Sequence, residues 1–385
     1  MTRNVTRRTA VRNIIYGTAF GLCGFPHGCG WSGDTISEAE QGAMAEVAEA
    51  FRHRFDAPGL SVAIAREGHF VYQQAFGVVA HGTDAQLTTS HLFRIASISK
   101  PITSAAIFTL VEKGLLRLTD TVFGERGILG TQYGRQPYGN GIEQITVDHL
   151  LTHTAGGWDP SHDPMFSDLT MSQSELISWA LDSLPLKNSP GTAFAYSNFG
   201  YCLLGRVIEK ISGKPYAEYV QSAVLAPSDI SDMRIAGNTQ LERAPQEVFY
   251  YGQGSGPYDD PYKINVRRMD SHGGWIATPS DLVNFALRVD GFDARRNILK
   301  PETIRTMATP TAANPNYAHG WAVNSKGHWW HAGDLGGTTS ILVRTSTRFC
   351  WAAIINTRRE QPERSADALD DMVWEMVSKV KAWRP

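Results

Sequence analysis

Apolar positions along this chain switch between the period of a helix and the period of a strand, and the switches divide it into regions. Between about Ile36 and Arg54, Ala43, Val47, Ala50 and Phe51 recur at intervals of three and four, as one face of a helix requires. Two strand-like runs follow, Leu60 to Ala65 and His69 to Phe76, joined by the hairpin signal Arg66-Glu67-Gly68. Helical spacing returns with Ile98, Ile102, Ala105, Ala106 and Leu110, and stops near Gly114. Pro101 falls in the first turn of that helix, where a missing N–H costs little.

Short helices and loops come next, including Thr146 to His153 and Ser172 to Leu184. A firmer helix from Gly200 to Ser212 is built on Leu203, Leu204, Val207, Ile208 and Ile211 and ended by Gly213. From Gly237 to Asn265 turn residues and aromatics dominate and periodicity is lost. Strand grammar reappears at Trp321 to Ser325, His328 to His331, Thr339 to Arg344 and Phe349 to Asn356. The chain closes with an amphipathic helix whose Leu369, Met372, Val373, Met376, Val377 and Val380 share one face.

Strands at both ends with helices between them predict an α/β (α+β) fold: a mostly antiparallel sheet built from both chain ends, flanked by helices, with a large helical insertion. The expected divisions are residues 36–95 and 278–383 for the two parts of the α/β domain and 96–277 for the helical domain. The crevice between them is the expected site.

At 385 residues, with 42% hydrophobic and 19% charged side chains, the chain has an ordinary globular composition. A formal net charge of -2 gives no electrostatic footprint for nucleic acid or an anionic membrane, so the expected partner is a small molecule or short peptide. The sequence carries no signal of oligomeric state. Residues 1–30 stand apart: Arg3, Arg7, Arg8 and Arg12 precede the mostly apolar stretch Ile14 to Phe25, which is too short to span a bilayer. That is signal-peptide grammar, and Thr6-Arg7-Arg8 fits a twin-arginine signal; a basic leader on a cytoplasmic protein is the alternative. Cys23 and Cys29 lack the small residues that precede a lipidated cysteine, while Cys202 and Cys350 match no zinc spacing and read as buried free thiols.

Three short segments carry candidate chemistry. Ser97 and Lys100 lie three apart at the start of a helix, where unpaired N–H groups and an ammonium favour an anion forming at the hydroxyl; an ordinary serine cap is the competing reading. Tyr196 and Asn198 sit two apart in an extended segment and point the same way, a phenol that can serve as a base beside an amide that can bond the lysine or a substrate carbonyl. A packed aromatic and a helix cap would explain the same pair. In His331-Ala332-Gly333-Asp334, at the end of a strand-like run, the glycine admits close approach to the strand and the next N–H can face an oxyanion.

The order Ser-x-x-Lys, Tyr-x-Asn, His-x-Gly resembles the serine β-lactamase and penicillin-binding-protein superfamily, in the branch holding class C β-lactamases, D-alanyl-D-alanine carboxypeptidases, D-aminopeptidases and family VIII esterases. The stretches Asp148 to Gly157, Tyr196 to Gly213 and Gly273 to Leu282 extend the likeness over about residues 40 to 380. It implies Ser97 as the acylated nucleophile, Lys100 and Tyr196 as its proton-handling partners, and Asn198 as support for Lys100 and the substrate amide. The implied oxyanion donors are the backbone N–H groups of Ser97 and Asp334. Whether Lys100 or Tyr196 takes the proton stays open at this point.

One departure bears on substrate. Where β-lactamases of this superfamily commonly carry Lys-Thr-Gly, this chain has His331-Ala332-Gly333, which weakens any clamp on a carboxylate. Esters, amides or peptides without a carboxylate there are favoured. The expected activity is therefore a serine hydrolase working through an acyl-enzyme, esterase or D-amino-acid-type peptidase, with a class C-like β-lactamase or a non-turnover penicillin-binding sensor as alternatives. No cofactor is implied. His149 and His153 lack the glutamate of a His-Glu-x-x-His zinc site, and neither Gly-x-Ser-x-Gly nor a phosphate-binding loop occurs. Phe249, Tyr250, Tyr251, Tyr258, Tyr262, Trp158, Trp275, Trp329 and Trp330 are mostly core, with some expected at the rim of the cleft.

Overall fold

The computed structural model describes residues 36–383 apart from 255, 257, 258 and 359–361. The leader with Cys23 and Cys29, and Tyr258, lie outside the described residues. In chain order the helices and strands are α1 (Glu38–Arg54), β1 (Gly59–Arg66), β2 (His69–Gly77), β3 (Phe93–Arg94), α2 (Ser99–Glu112), α3 (Val147–Leu151), α4 (Gln173–Ser183), α5 (Asn198–Ser212) and α6 (Tyr216–Val220). Then come β4 (Arg234–Ile235), β5 (Tyr251–Gly252), β6 (Trp275–Ala277), α7 (Pro279–Leu287), α8 (Pro301–Met307), β7 (Ala322–Val323), β8 (Trp329–Leu335), β9 (Thr338–Arg344), β10 (Phe349–Ile355), β11 (Thr357–Arg358) and α9 (Pro362–Ser378).

The expected sheet from both chain ends is present: six strands in the order β2-β1-β10-β9-β8-β7, every pair antiparallel. The two ends meet where β1 pairs with β10, Leu60 opposite Ile355 through Arg66 opposite Phe349. Strand side chains alternate faces. Leu60, Val62, Ile64, Trp351, Ala353 and Ile355 pack towards α1 and α9, while Ala63, Ala65, Cys350, Ala352 and Ile354 pack towards the helical region. Both faces are covered, so β9 and β10 are buried throughout and β1 up to Ala65.

The closing helix buries Leu369, Met372, Val373, Met376, Val377 and Val380 as expected. On α1 the expected face is turned. Met44, Ala48 and Phe51 are buried, Ala43 and Val47 only half, and Ala50 is exposed. Ala43, Ala45, Ala48 and Ala50 make two adjacent stripes similarly apolar, and the buried one carries Met44. Ser37 and Glu40 form the capping box that starts α1.

Helix α2 runs through the middle of the molecule and is buried from Ser99 to Leu110 on every side. Its polar residues are satisfied internally: Thr103 donates to the Ser271 carbonyl at 2.6 Å and Ser104 to the His319 carbonyl at 2.7 Å. A second, three-stranded sheet, β3-β6-β4, escaped the sequence reading because its strands are two or three residues long. It ties the segment just before α2 to β6, with Phe93 opposite Ala277 and Arg94 opposite Ile276.

Candidate active site

Two strand side chains draw the start of α2 against the large sheet. From β9, Thr338 Oγ1 donates to the Arg94 carbonyl at 2.8 Å and Ser340 Oγ to the Ile95 carbonyl at 2.9 Å. Gly333 on β8 makes that approach possible, since a β-carbon there would lie 2.2 Å from Ile95 O and 2.2 Å from Ser340 Oγ. The next residue, Ala96, takes φ +47°, a left-handed conformation that alanine adopts only under constraint. The chain then enters a 3-10 turn, Ala96–Ile98, that leads into α2. Ser97 is the one residue from Leu92 to Leu110 that is not buried, and it opens into a cleft of about 920 Å³.

Lys100 is fully buried below Ser97. Its Nζ lies 3.0 Å from Ser97 Oγ, 2.7 Å from Asn198 Oδ1 and 3.0 Å from the His272 carbonyl oxygen. Burial pushes the Lys100 ammonium down to about 7, against the opposing pull of the Asp163 carboxylate. Tyr196 stands beside it, its ring centroid 4.9 Å from Lys100 Nζ. Burial pushes the phenol's pKa up, and a hydrogen bond to Ser97 partly opposes that. The side chains of Ser97, Lys100, Tyr196 and Asn198 thus converge as the sequence reading expected. Asn198 is not the cap of α5. Ser197 holds that place, accepting from the Gly200 N–H at 3.0 Å, which leaves the Asn198 amide for Lys100.

His331 is brought in differently. It lies inside β8, which continues to Leu335, not at a strand end as its sequence suggested. Its Nε2 is 3.1 Å from the Tyr317 hydroxyl, which is 3.1 Å from His153 Nε2. His153 Nδ1 accepts from the Ser197 N–H at 3.0 Å, and His331 Nδ1 faces the Ala332 carbonyl at 2.7 Å. One proton arrangement satisfies the whole chain: His153 Nε2–H donates to Tyr317, Tyr317 donates to His331 Nε2, and His331 Nδ1–H donates to Ala332. Both imidazoles are then neutral. Burial, with Lys100 nearby, holds His331 down to about 3 and His153 well below the usual histidine range. His149, the other half of the sequence's histidine pair, instead accepts from the Thr146 N–H at 3.2 Å.

Strand β7 pairs with β8 only at Trp329 and Trp330, so from His331 onward that edge of β8 faces the cleft, with His331, Ala332, Asp334 and Leu335 in its wall. The Asp334 carboxylate lies 2.5 Å from Arg358 Nε, and a second carboxylate, Asp259, is 3.7 Å from the same guanidinium. Burial raises Asp334 to about 7, while Arg358 works the other way. Of the nine aromatics named from the sequence, only Trp330 lines the cleft among the described residues; Trp275 and Tyr250 are core. Phe166, Tyr317 and Tyr196 are its other aromatic walls.

Sequence reasoning missed Asp163, Tyr317 and the His272 carbonyl. Asp163 accepts from Asn198 Nδ2 at 2.6 Å. A single aspartate in an irregular loop carries no period, and a carbonyl carries no residue signal at all. Cys202 and Cys350 are buried free thiols, as expected. Among the described residues no helix is long and apolar enough to cross a membrane.

Residues 45–372 match the model of the Beta-lactamase family. Penicillin-binding protein 4* of Bacillus subtilis is 27% identical over 323 residues, 76% of this chain and 66% of its own length. Protein flp of Staphylococcus aureus is 24% identical over 82% of this chain and 63% of its own. The chain thus spans just under two thirds of the length of these curated relatives. Among solved structures, D-amino acid amidase from Ochrobactrum anthropi SV3 superposes with a TM-score of 0.72 at 24% identity, over 89% of this chain and 99% of that one. The octameric penicillin-binding protein homologue from Pyrococcus abyssi gives 0.69 at 24%, over 87% and 77%. A match along most of the chain, in a fold whose cleft gathers the Ser-x-x-Lys and Tyr-x-Asn side chains, makes this protein a member of the Beta-lactamase family.

Proposed function

We propose that the protein is a serine hydrolase that cleaves esters or amides through an acyl-enzyme on Ser97. The surroundings of Lys100 carry this reading. Two of its three partners, Asn198 Oδ1 and the His272 carbonyl, can only accept. A neutral amine that donates to both turns its lone pair to the third, the Ser97 hydroxyl at 3.0 Å. With Lys100 held down to about 7, that neutral form is well populated at neutral pH, whereas Tyr196 stays protonated. Lys100 is therefore the base and Tyr196 the phenol that passes a proton to the leaving group.

In acylation, Ser97 Oγ attacks the substrate carbonyl carbon as its proton moves to Lys100 Nζ. The backbone N–H groups of Ser97 and Asp334 hold the oxyanion. Collapse expels an alcohol or amine, protonated by Tyr196, which recovers its proton from the neighbouring Lys100 ammonium. Water then repeats the sequence on the acyl ester and frees Ser97.

Substrate preference follows from the charges in the cleft. His331 is neutral and tied to Tyr317, Ala332 has no hydroxyl, and Arg358 is engaged by Asp334 and Asp259. That leaves little to meet a substrate carboxylate, so neutral esters and amides are preferred to anionic β-lactams. The likeness to D-amino acid amidase supports amides. The basic, then apolar leader supports export. Purified protein assayed against p-nitrophenyl esters, D-aminoacyl anilides and nitrocefin tests the reading. The expected result is turnover of at least one neutral ester or amide that Ser97→Ala reduces by about 10⁶-fold. Retention of a tenth of that activity by Ser97→Ala contradicts it.

A further inference from the structure

The loop from Asp159 to Phe166 forms one wall of the cleft and carries a buried carboxylate in contact with the amide that faces Lys100. Asp163 Oδ2 accepts from Asn198 Nδ2 at 2.6 Å, and its Oδ1 accepts from the Met165 N–H at 3.0 Å. The loop itself is pinned from behind. Arg268, largely buried, donates from Nη1 to the carbonyls of Asp168 at 2.6 Å and Met171 at 2.7 Å, and from Nη2 to that of Met165 at 3.0 Å. The carboxylate is thus fixed in place, and each of its oxygens has a defined donor.

This matters because a primary amide is reversible. Asn198 can present either its oxygen or its NH₂ to Lys100, and the two orientations have opposite chemical consequences. With Oδ1 towards Lys100, the neutral amine donates to it and keeps its lone pair for Ser97. With Nδ2 towards Lys100, the amide donates into that lone pair and the amine can no longer take the serine proton. A carboxylate can only accept, so it holds the NH₂ end and leaves the oxygen for the lysine.

We propose that Asp163 is a positioning residue: it locks the Asn198 amide in the orientation that leaves Lys100 free to deprotonate Ser97. The inference rests on the acyl-enzyme reading of Ser97. Burial raises the Asp163 pKa, and the hydrogen bonds from Met165 and Asn198, with the Lys100 charge, oppose that by favouring the carboxylate.

The test is an inversion cycle. Asp163→Asn is isosteric, but if its oxygen keeps the Met165 N–H, its own NH₂ meets Asn198 and turns that amide over. Asn198→Asp alone sets two carboxylates against each other. Combining them restores an acceptor towards Lys100 and a donor–acceptor match between positions 163 and 198. Hydrolysis of p-nitrophenyl acetate per folded molecule is followed from pH 5 to 10 in the four proteins and in Ser97→Ala, with folding checked by circular dichroism.

The expected result is a fall in kcat/KM of about 10²-fold for Asp163→Asn, the scale of a disabled base, and recovery of about tenfold or more in the double variant. In that variant the carboxylate at 198 touches Lys100 directly, so the acid limb moves to higher pH. The other groups facing Lys100 are unchanged: Tyr196, Tyr201, and the neutral His153, His272 and His331. That shift of the limb reports the carboxylate at 198 and appears in Asn198→Asp as well; it is the recovery of kcat/KM that a merely structural aspartate would not give. Should Asp163→Asn not fold, the double variant must still exceed Asn198→Asp. Losses that multiply without recovery, or an Asp163→Asn enzyme within about threefold of wild type, overturn the proposal. An active Ser97→Ala overturns the acyl-enzyme reading instead, so the two failures are separable.

Discussion

Replacing Gly333 by alanine adds one methyl group at the place where the serine segment meets the sheet. The added carbon would lie 2.2 Å from Ile95 O and 2.2 Å from Ser340 Oγ, whereas ordinary non-bonded contact needs about 3.5 Å. One side must give by more than about 1 Å. Ser340 also holds the Ile95 carbonyl, and Thr338 that of Arg94, so the shift is passed to Ala96 and Ser97. A displacement of about 1 Å of a reacting group costs on the order of 10²-fold in rate, about 2.7 kcal/mol of barrier. Overpacking of this kind also destabilises the fold by about 1–3 kcal/mol. The assay is kcat/KM for p-nitrophenyl acetate at a temperature where both proteins are folded, with the rate of fluorophosphonate labelling of Ser97 beside it. Both rates should fall together by about 10²-fold. Activity within about threefold of wild type, with an unchanged melting temperature, refutes the claim that Gly333 sets the position of Ser97.

The rate should rise with pH through about 7 as Lys100 loses its proton; a flat acid side down to pH 5 rules out a lysine base. The same group contributes to stability with a known sign. Its ordinary value is 10.5 and its folded value about 7, so between these the unfolded chain binds a proton that the native chain does not. The Lys100 contribution therefore increases from pH 7 to 10.5, and Lys100→Met should flatten that part of the melting-temperature curve. Tyr317→Phe keeps the ring but leaves His153 and His331 without the hydroxyl between them, at a cost of about 1–3 kcal/mol. An unchanged melting temperature would mean that the histidine chain is not formed. Burial pushes the Cys202 thiol up to about 12 and raises that of Cys350 as well. Peptides holding either cysteine should stay unlabelled by iodoacetamide until denaturant is added, and rapid native labelling contradicts their burial.

How much of this was legible beforehand depended on whether a signal had a period. The sheet strands and α9 were readable because buried faces impose repeats of two and of three to four on the sequence. The face of α1 was misplaced because its alanines do not discriminate between neighbouring stripes. The end of β8 was missed because Ala332-Gly333-Asp334 has poor strand propensity, and there the Ile95 carbonyl, not a side chain, fills the space on Gly333. Ser97, Lys100, Tyr196 and Asn198 could be named because their order and separations form a motif. Asp163 and Tyr317 reach the cleft through tertiary packing of irregular loops, more than thirty residues from Asn198 and fourteen from His331. The neutrality of His331 was also out of reach, because it follows from burial of the ring beside Lys100.

The most direct test is to quench the enzyme with acid during turnover of a slow p-nitrophenyl ester and weigh it intact. The expected spectrum shows one added acyl group, lost on further incubation, and peptide mapping puts it on the peptide containing Ser97. An adduct on another residue, or steady turnover in which no adduct forms on Ser97 at any time after mixing, contradicts the account.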